Sequence, residues 1–197
     1  MTPAAPEPAQ RLFFALWPDE AARRALAHAT AKAVRHSGGR PVPAQNLHVT
    51  LAFLGSVARR RLPEVKSIGG RLAAACAEKA AIAEHPPIAL RFETVAHWPR
   101  QQLLCALAGE EAPLATRLAA ALKDAAALAG FPPDLKPFRA HVTVARKVTH
   151  APRRSALRSV IWQFDAFALL DSRTEPEGPI YSVLESYPLV KREKPYE

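Results

Sequence analysis

Two tetrapeptides constrain this chain more than any other feature: His48-Val49-Thr50-Leu51 and His141-Val142-Thr143-Val144 are near copies, 93 positions apart in 197 residues. Seven histidines and eight threonines in that length give roughly 0.3 His-x-Thr pairs by random placement, so a matched pair that also shares its apolar continuation is poorly explained by chance. Each copy lies in a segment that reads as a strand, residues 46–54 and 138–148, and each follows a predicted helix. Alternate side chains of a strand share a face, so His48 points with Thr50 and His141 with Thr143. Two similar halves packed about a pseudo-twofold axis would bring two imidazoles and two hydroxyls to one cleft.

The remaining segments fit that picture. Residues 12–17 (LFFALW) form a short apolar run suited to a buried strand, and Pro18-Asp19 opens a helix that runs to His36 and stops at Ser37-Gly38-Gly39. Gly38-Gly39 follows a helix rather than opening one, so it reads as a stop signal and not as a phosphate loop. A second helix is expected over 62–79, with Gly69-Gly70 a potential break, and a third over 113–129. Further strands are expected over 88–95, 102–108, 161–170 and 180–189, with a loop at His97-Trp98-Pro99-Arg100 and a polar turn over 173–179. Strand hairpins mixed with helices make the fold class α+β. The Ala- and Pro-rich residues 1–10 are expected to be a mobile tail ahead of one unit over 11–197.

The constellation suits phosphate-ester hydrolysis. A neutral imidazole can take a proton from water while a protonated one gives a proton to the departing oxygen, and an ordinary imidazole pKa near ~6.5 makes both forms accessible. Threonine hydroxyls can bond the non-bridging phosphate oxygens as charge builds there. A lone strand histidine is more often structural than catalytic, but the matched pair reverses that balance. The other histidines offer no metal-ligand spacing: His97 and His150 fall in predicted loops, and His28, His36 and His85 at helix or surface positions. Cys76 and Cys105 each stand alone in an apolar stretch, as buried free thiols would, which excludes a disulfide framework and fits a cytoplasmic protein. No apolar run reaches the ~18 residues of a membrane span. The net charge of +9 favours a polyanionic partner, nucleic acid first, although Arg59-Arg60-Arg61 and Arg153-Arg154 read equally well as solvated surface.

The two His-x-Thr motifs resemble the signature of the 2H phosphoesterase superfamily. Residues 39–43 (GRPVP) and 46–55 (NLHVTLAFLG) are similar to its bacterial RNA 2′,3′-cyclic phosphodiesterase branch, once called 2′-5′ RNA ligase. The likeness extends through residues 11–18 (RLFFALWP), 137–146 (PFRAHVTVAR) and 178–181 (GPIY). It implies a bilobal fold of two pseudo-symmetric antiparallel sheets with outer helices around a central cleft, without metal or other cofactor. It also implies cleavage of the bond to the 3′ oxygen, leaving a 2′-phosphate, together with weak reversible 2′-5′ ligation. By resemblance His48 is the general acid and His141 the general base, Thr50 and Thr143 bind the phosphate, and Phe53 and Arg146 clamp the terminal base or phosphate. The implied partner is RNA with 2′,3′-cyclic phosphate ends or a cyclic nucleotide, with no membrane and no obligate protein partner.

Phe53 and Arg146 each lie five positions after their histidine, an odd offset that strict alternation puts on the wrong face. Either the strands bulge, or these residues act from strand ends. Core packing competes with base stacking for Phe53. Two other functions share the histidines or the fold: a phosphoesterase for small cyclic nucleotides or an ADP-ribose cyclic phosphate, and a module that binds RNA ends without turnover. Paired acid and base equipment counts against the second.

Overall fold

The computed structural model describes residues 7–83, 88–109, 112–132, 136–151, 154–176 and 178–190, so His85 and Arg153 lie outside the described residues. In chain order the elements are β1 (Ala9–Leu16), α1 (Glu20–Arg35), β2 (Arg40–Pro41), β3 (Val49–Ala58), α2 (Leu62–Ala83), β4 (Ile88–Trp98), β5 (Leu103–Ala108), α3 (Pro113–Leu128), β6 (His141–Arg146), β7 (Arg154–Phe164), β8 (Ala166–Glu175) and β9 (Gly178–Pro188). The strands form two antiparallel sheets, ordered β3-β1-β8-β9 and β2-β6-β5-β4-β7. In each sheet the strand that carries or follows the His-x-Thr histidine pairs with the strand preceding the intervening helix: β3 with β1 across α1, and β6 with β5 across α3. This repeated unit is the duplication legible in the motifs.

The packing explains why residues 12–16 of β1 are all apolar. Leu12, Phe14 and Leu16 enter the main core, while Phe13 and Ala15 join Ala168 and Leu170 in a small cluster on the opposite face, with Trp17 and Tyr181 packed against it. A strand covered on both faces reads as a continuous hydrophobic run. Helix α1 starts where the Asp19 side chain accepts the Ala22 N–H at 2.7 Å, an N-cap worth ~1 kcal/mol, and ends before Gly38 at φ 63°. It packs against β7 of the second sheet, where buried Trp162 donates its indole N–H to the Ala22 carbonyl at 2.9 Å. α3, from the other half, packs against β3, so the halves interlock through their helices. One hydrophobic cluster accordingly draws on both sheets and all three helices. No helix among the described residues is long and apolar enough to cross a membrane.

Several expectations need correction. The predicted strand over 161–170 is two strands of different sheets, divided at Asp165, whose carbonyl accepts the Leu189 N–H at 2.7 Å. β7 was hidden because, as an edge strand, it exposes much of its length and carries Arg154 and Arg158, so it lacks an apolar signature. The Gly69-Gly70 pair does not break α2. A Cβ on Gly69 would lie 2.5 Å from the Tyr187 ring, so the glycine lets β9 approach the helix. His97 and Trp98 close β4 instead of lying in a loop, and the turn over 173–179 shrinks because β8 continues to Glu175 and β9 begins at Gly178. Cys105 is buried as expected, whereas Cys76 is only partly so.

Candidate active site

Strand register resolves the odd offset. Phe14 pairs with Ala52 and Ala15 with Thr50, which leaves Leu51 as an extra residue in β3. Likewise Leu104 pairs with Ala145 and Cys105 with Thr143, which leaves Val144 extra in β6. Both bulges fall three residues after the histidine, with consecutive residues buried at 51–52 and at 144–145. Each bulge flips the alternation, so Phe53 returns to the face of Thr50 and Arg146 to the face of His141 and Thr143. Phe53 is 39% exposed with the Arg11 guanidinium 5.0 Å over its ring, which removes it from the core.

The two imidazoles are held in the same way. His48 precedes β3 and its Nδ1–H donates to the Asn46 carbonyl at 2.7 Å; His141 opens β6 and its Nδ1–H donates to the Arg139 carbonyl, also at 2.7 Å. In each case the acceptor lies two residues back. That bond fixes the tautomer and leaves Nε2 as the nitrogen available for proton transfer. On the His48 side the Thr50 hydroxyl donates to Nε2 at 3.1 Å. Asn46 is itself anchored, through its side-chain N–H, to the Pro179 carbonyl of β9 at 2.7 Å. β3 and β6 are in contact, and Arg146 and His141 lie near enough to His48 for their positive charge to oppose its protonation, so the fold brings the two motifs together.

Burial dominates the electrostatics. Desolvation pushes the His48 pKa down to about 4, against the supporting bond from Asn46 and with added repulsion from Arg146, His141 and Arg23. His141 is also lowered, first by desolvation and then by the Arg139 charge. Both rings are therefore neutral at pH 7 in the free protein, and an anionic phosphate entering the cleft supplies the countercharge that favours protonating one of them. A stability consequence follows from the sign. Between about pH 4 and 6.5 the unfolded chain carries more protons on His48 than the folded one, so stability is full above 6.5 and declines as pH falls toward 4. The His48 share is bounded at about 3 kcal/mol. Thermal melts of the protein and of His48→Asn should show a shallower acid-side loss of Tm in the variant; parallel curves would contradict the lowered pKa.

Residues 17–176 match the family model of the 2′-5′ RNA ligase superfamily. The chain belongs to this superfamily. It is 34% identical over 190 residues to an RNA 2′,3′-cyclic phosphodiesterase of Thermus thermophilus, covering 91% of this chain and 90% of that protein. Against the RNA 2′,3′-cyclic phosphodiesterase of Escherichia coli the identity is 30% over 142 residues, 72% of this chain and 74% of that one. The crystal structure of E. coli LigT complexed with 3′-AMP superposes with a TM-score of 0.78 at 27% identity, covering 93% of this chain and all of that one. The α+β fold expected from the sequence is thus the arrangement this chain shares with solved 2′-5′ RNA ligase superfamily structures.

Around this superfamily frame stand residues that the motifs did not announce. His48 is lined by Phe13, Trp17 and Tyr181, with ring centroids 5.1, 5.8 and 5.1 Å away, and His141 by Trp98 at 4.6 Å. These rings supply the apolar walls that desolvate the imidazoles. The Arg23 guanidinium lies 4.1 Å over the Trp17 ring, and its Nε is buried without a hydrogen-bond partner among the described residues. Its position in the first turns of α1 reads as an ordinary helix charge, so no sequence signal separates it from Arg24. Cys105 Sγ lies 4.0 Å from the Thr143 hydroxyl, but burial pushes its thiol up to about 12, which leaves it a packing group and not a nucleophile.

Proposed function

We propose that this protein hydrolyses the 2′,3′-cyclic phosphate ends of RNA to 2′-phosphates. The observation that carries the reading is the pair of imidazoles, one on each sheet, each pinned at Nδ1 by a carbonyl and each two residues from a threonine hydroxyl. Relatives named RNA 2′,3′-cyclic phosphodiesterase, one of them aligned over most of both chains, support the substrate class. In the proposed reaction His141 takes a proton from water as its oxygen attacks phosphorus. His48, protonated under the influence of the phosphate anion, gives its proton to the departing 3′ oxygen on the opposite side. The P–O3′ bond breaks, the product carries a 3′ hydroxyl and a 2′-phosphate, and solvent resets the two histidines. Thr50 and Thr143 bond the non-bridging oxygens, where negative charge grows. Phe53 and Arg146 hold the terminal nucleotide by stacking and by the guanidinium fork. A 5′ hydroxyl in place of water would give the weak reversible 2′-5′ ligation.

Residues 11–197 act as one catalytic unit in this reading, supported by the core cluster common to both sheets. Two cysteines, each alone in an apolar stretch of sequence, suit a reducing compartment such as the cytoplasm. The test is to incubate the protein with a 2′,3′-cyclic-ended oligoribonucleotide in excess chelator and locate the product phosphate. A 2′-phosphate with unimpaired rate is expected, because acid, base and phosphate donors are all side chains. A 3′-phosphate product, or activity that chelation abolishes and a divalent ion restores, would overturn the proposal.

A further inference from the structure

On the cleft face of the first sheet a groove of about 640 Å³ continues away from His48, within the ~300–1,000 Å³ typical of ligand sites. From Trp17 the cleft-facing positions run back through Ala15 and Phe13 to Arg11, whose register partner on β3 is Ser56. The groove is lined by Phe53, Arg11, Ser56, Arg59, Ser172 and Thr174, among others. Phe53 lines this groove and shares the sheet face of Thr50, so it links the groove to the His-x-Thr face.

The Arg59-Arg60-Arg61 run divides in a way that singles out its first member. Arg60 pairs with Glu7, while Arg61 pairs with Glu64 at 2.8 Å and lies 3.9 Å over the Phe131 ring. Arg59 lines the groove and has no carboxylate partner among the described residues. The carboxylate at the groove, on Asp171, is buried and matched by Arg173 at 3.3 Å. Arg11 and Arg59 thus supply positive charge beside a row of hydroxyls and one exposed aromatic ring. That combination suits a phosphodiester with its ribose, and base stacking on the ring.

We propose that this groove is a second nucleotide subsite, which takes the phosphodiester immediately 5′ to the cyclic end, with Arg11 and Arg59 on the phosphate and the hydroxyls of Ser56, Ser172 and Thr174 along the backbone. The proposal rests on the hydrolase reading above and names the feature that selects RNA ends over free cyclic nucleotides.

The test compares kcat/KM for a 2′,3′-cyclic mononucleotide and for a short oligoribonucleotide ending in the same cyclic nucleotide, across a salt series. One phosphate neutralised by the arginine pair should make the log–log salt slope for the oligonucleotide steeper by about 0.7, and Arg59→Gln or Arg11→Gln should each reduce that increment. Each substitution should lower oligonucleotide kcat/KM by roughly tenfold, and Arg59→Gln should leave the mononucleotide value within twofold, which also reports correct folding. Equal losses on both substrates, or no loss on the oligonucleotide, would overturn the subsite. If the protein hydrolyses neither substrate, the hydrolase reading falls. Equilibrium binding of a single-stranded oligoribonucleotide then decides the groove alone: weakening by Arg59→Gln supports it, and unchanged binding overturns it.

Discussion

His48→Ala and His141→Ala should each lower kcat on a cyclic-phosphate-ended RNA by roughly 10² to 10⁴, the usual consequence of losing a general acid or base, with KM changed far less. Both side chains lie at or just before the start of a strand and are only partly buried, so truncation leaves the two sheets and the main core intact. Acid and base act in one transition state, so the double variant should lose much less than the product of the single losses. The pH profile carries the same information. Burial lowers both imidazoles in the free protein, so the acidic limb of kcat/KM should lie below the ordinary histidine value. The bound phosphate anion favours the charged imidazole, so the corresponding limbs of the kcat profile should move upward. Single-turnover rates across pH read both quantities. A kcat profile superimposable on that of kcat/KM would mean that the phosphate does not sit between these rings.

Thr50→Val and Thr143→Val carry the second largest expected effect. Valine keeps the branched shape that β-strands favour and deletes only the hydroxyl, so each variant should fold while losing one donor to the phosphate oxygens. Removing a donor to developing charge costs on the order of 10²- to 10³-fold in kcat. The two sites are not equivalent before substrate arrives: the Thr50 hydroxyl donates to His48 Nε2, whereas Thr143 has the Cys105 thiol at 4.0 Å. Thr50 must therefore exchange its partner when phosphate binds. Steady-state kinetics separate the alternatives: a fall in kcat marks a transition-state donor, and a rise in KM alone would reduce the threonines to ground-state binders.

Much of this site was legible in the letters because a duplicated strand motif encodes both residue type and direction. His48 and Thr50, or His141 and Thr143, share a face by the pleat alone. The return of Phe53 and Arg146 to that face required a bulge, and no residue in LAFL or VARK signals one; the odd offset only posed the question. The aromatic walls were hidden for a different reason. Trp17, Trp98 and Tyr181 converge on the histidines from the ends of β1 and β4 and from β9, and such convergence is a property of the sheet order. β7 carries little hydrophobic periodicity because it is an edge strand with a solvated face, so residues 161–170 read as one strand. The basic run illustrates the converse: three adjacent arginines look alike in sequence, yet Glu7 and Glu64 occupy two of them and leave Arg59 on the groove.

The central claim is that two histidines act as acid and base on opposite sides of one phosphorus, and a change of leaving group tests it most directly. In a 2′,3′-cyclic phosphate with sulfur in place of the 3′ oxygen, the departing thiolate needs no proton. On this substrate His48→Ala should recover most of the intact protein's rate, while His141→Ala should stay impaired because water still has to lose its proton. Recovery of His141→Ala instead would reverse the two roles. Near-normal turnover of the all-oxygen cyclic phosphate by either single variant would contradict the two-histidine mechanism.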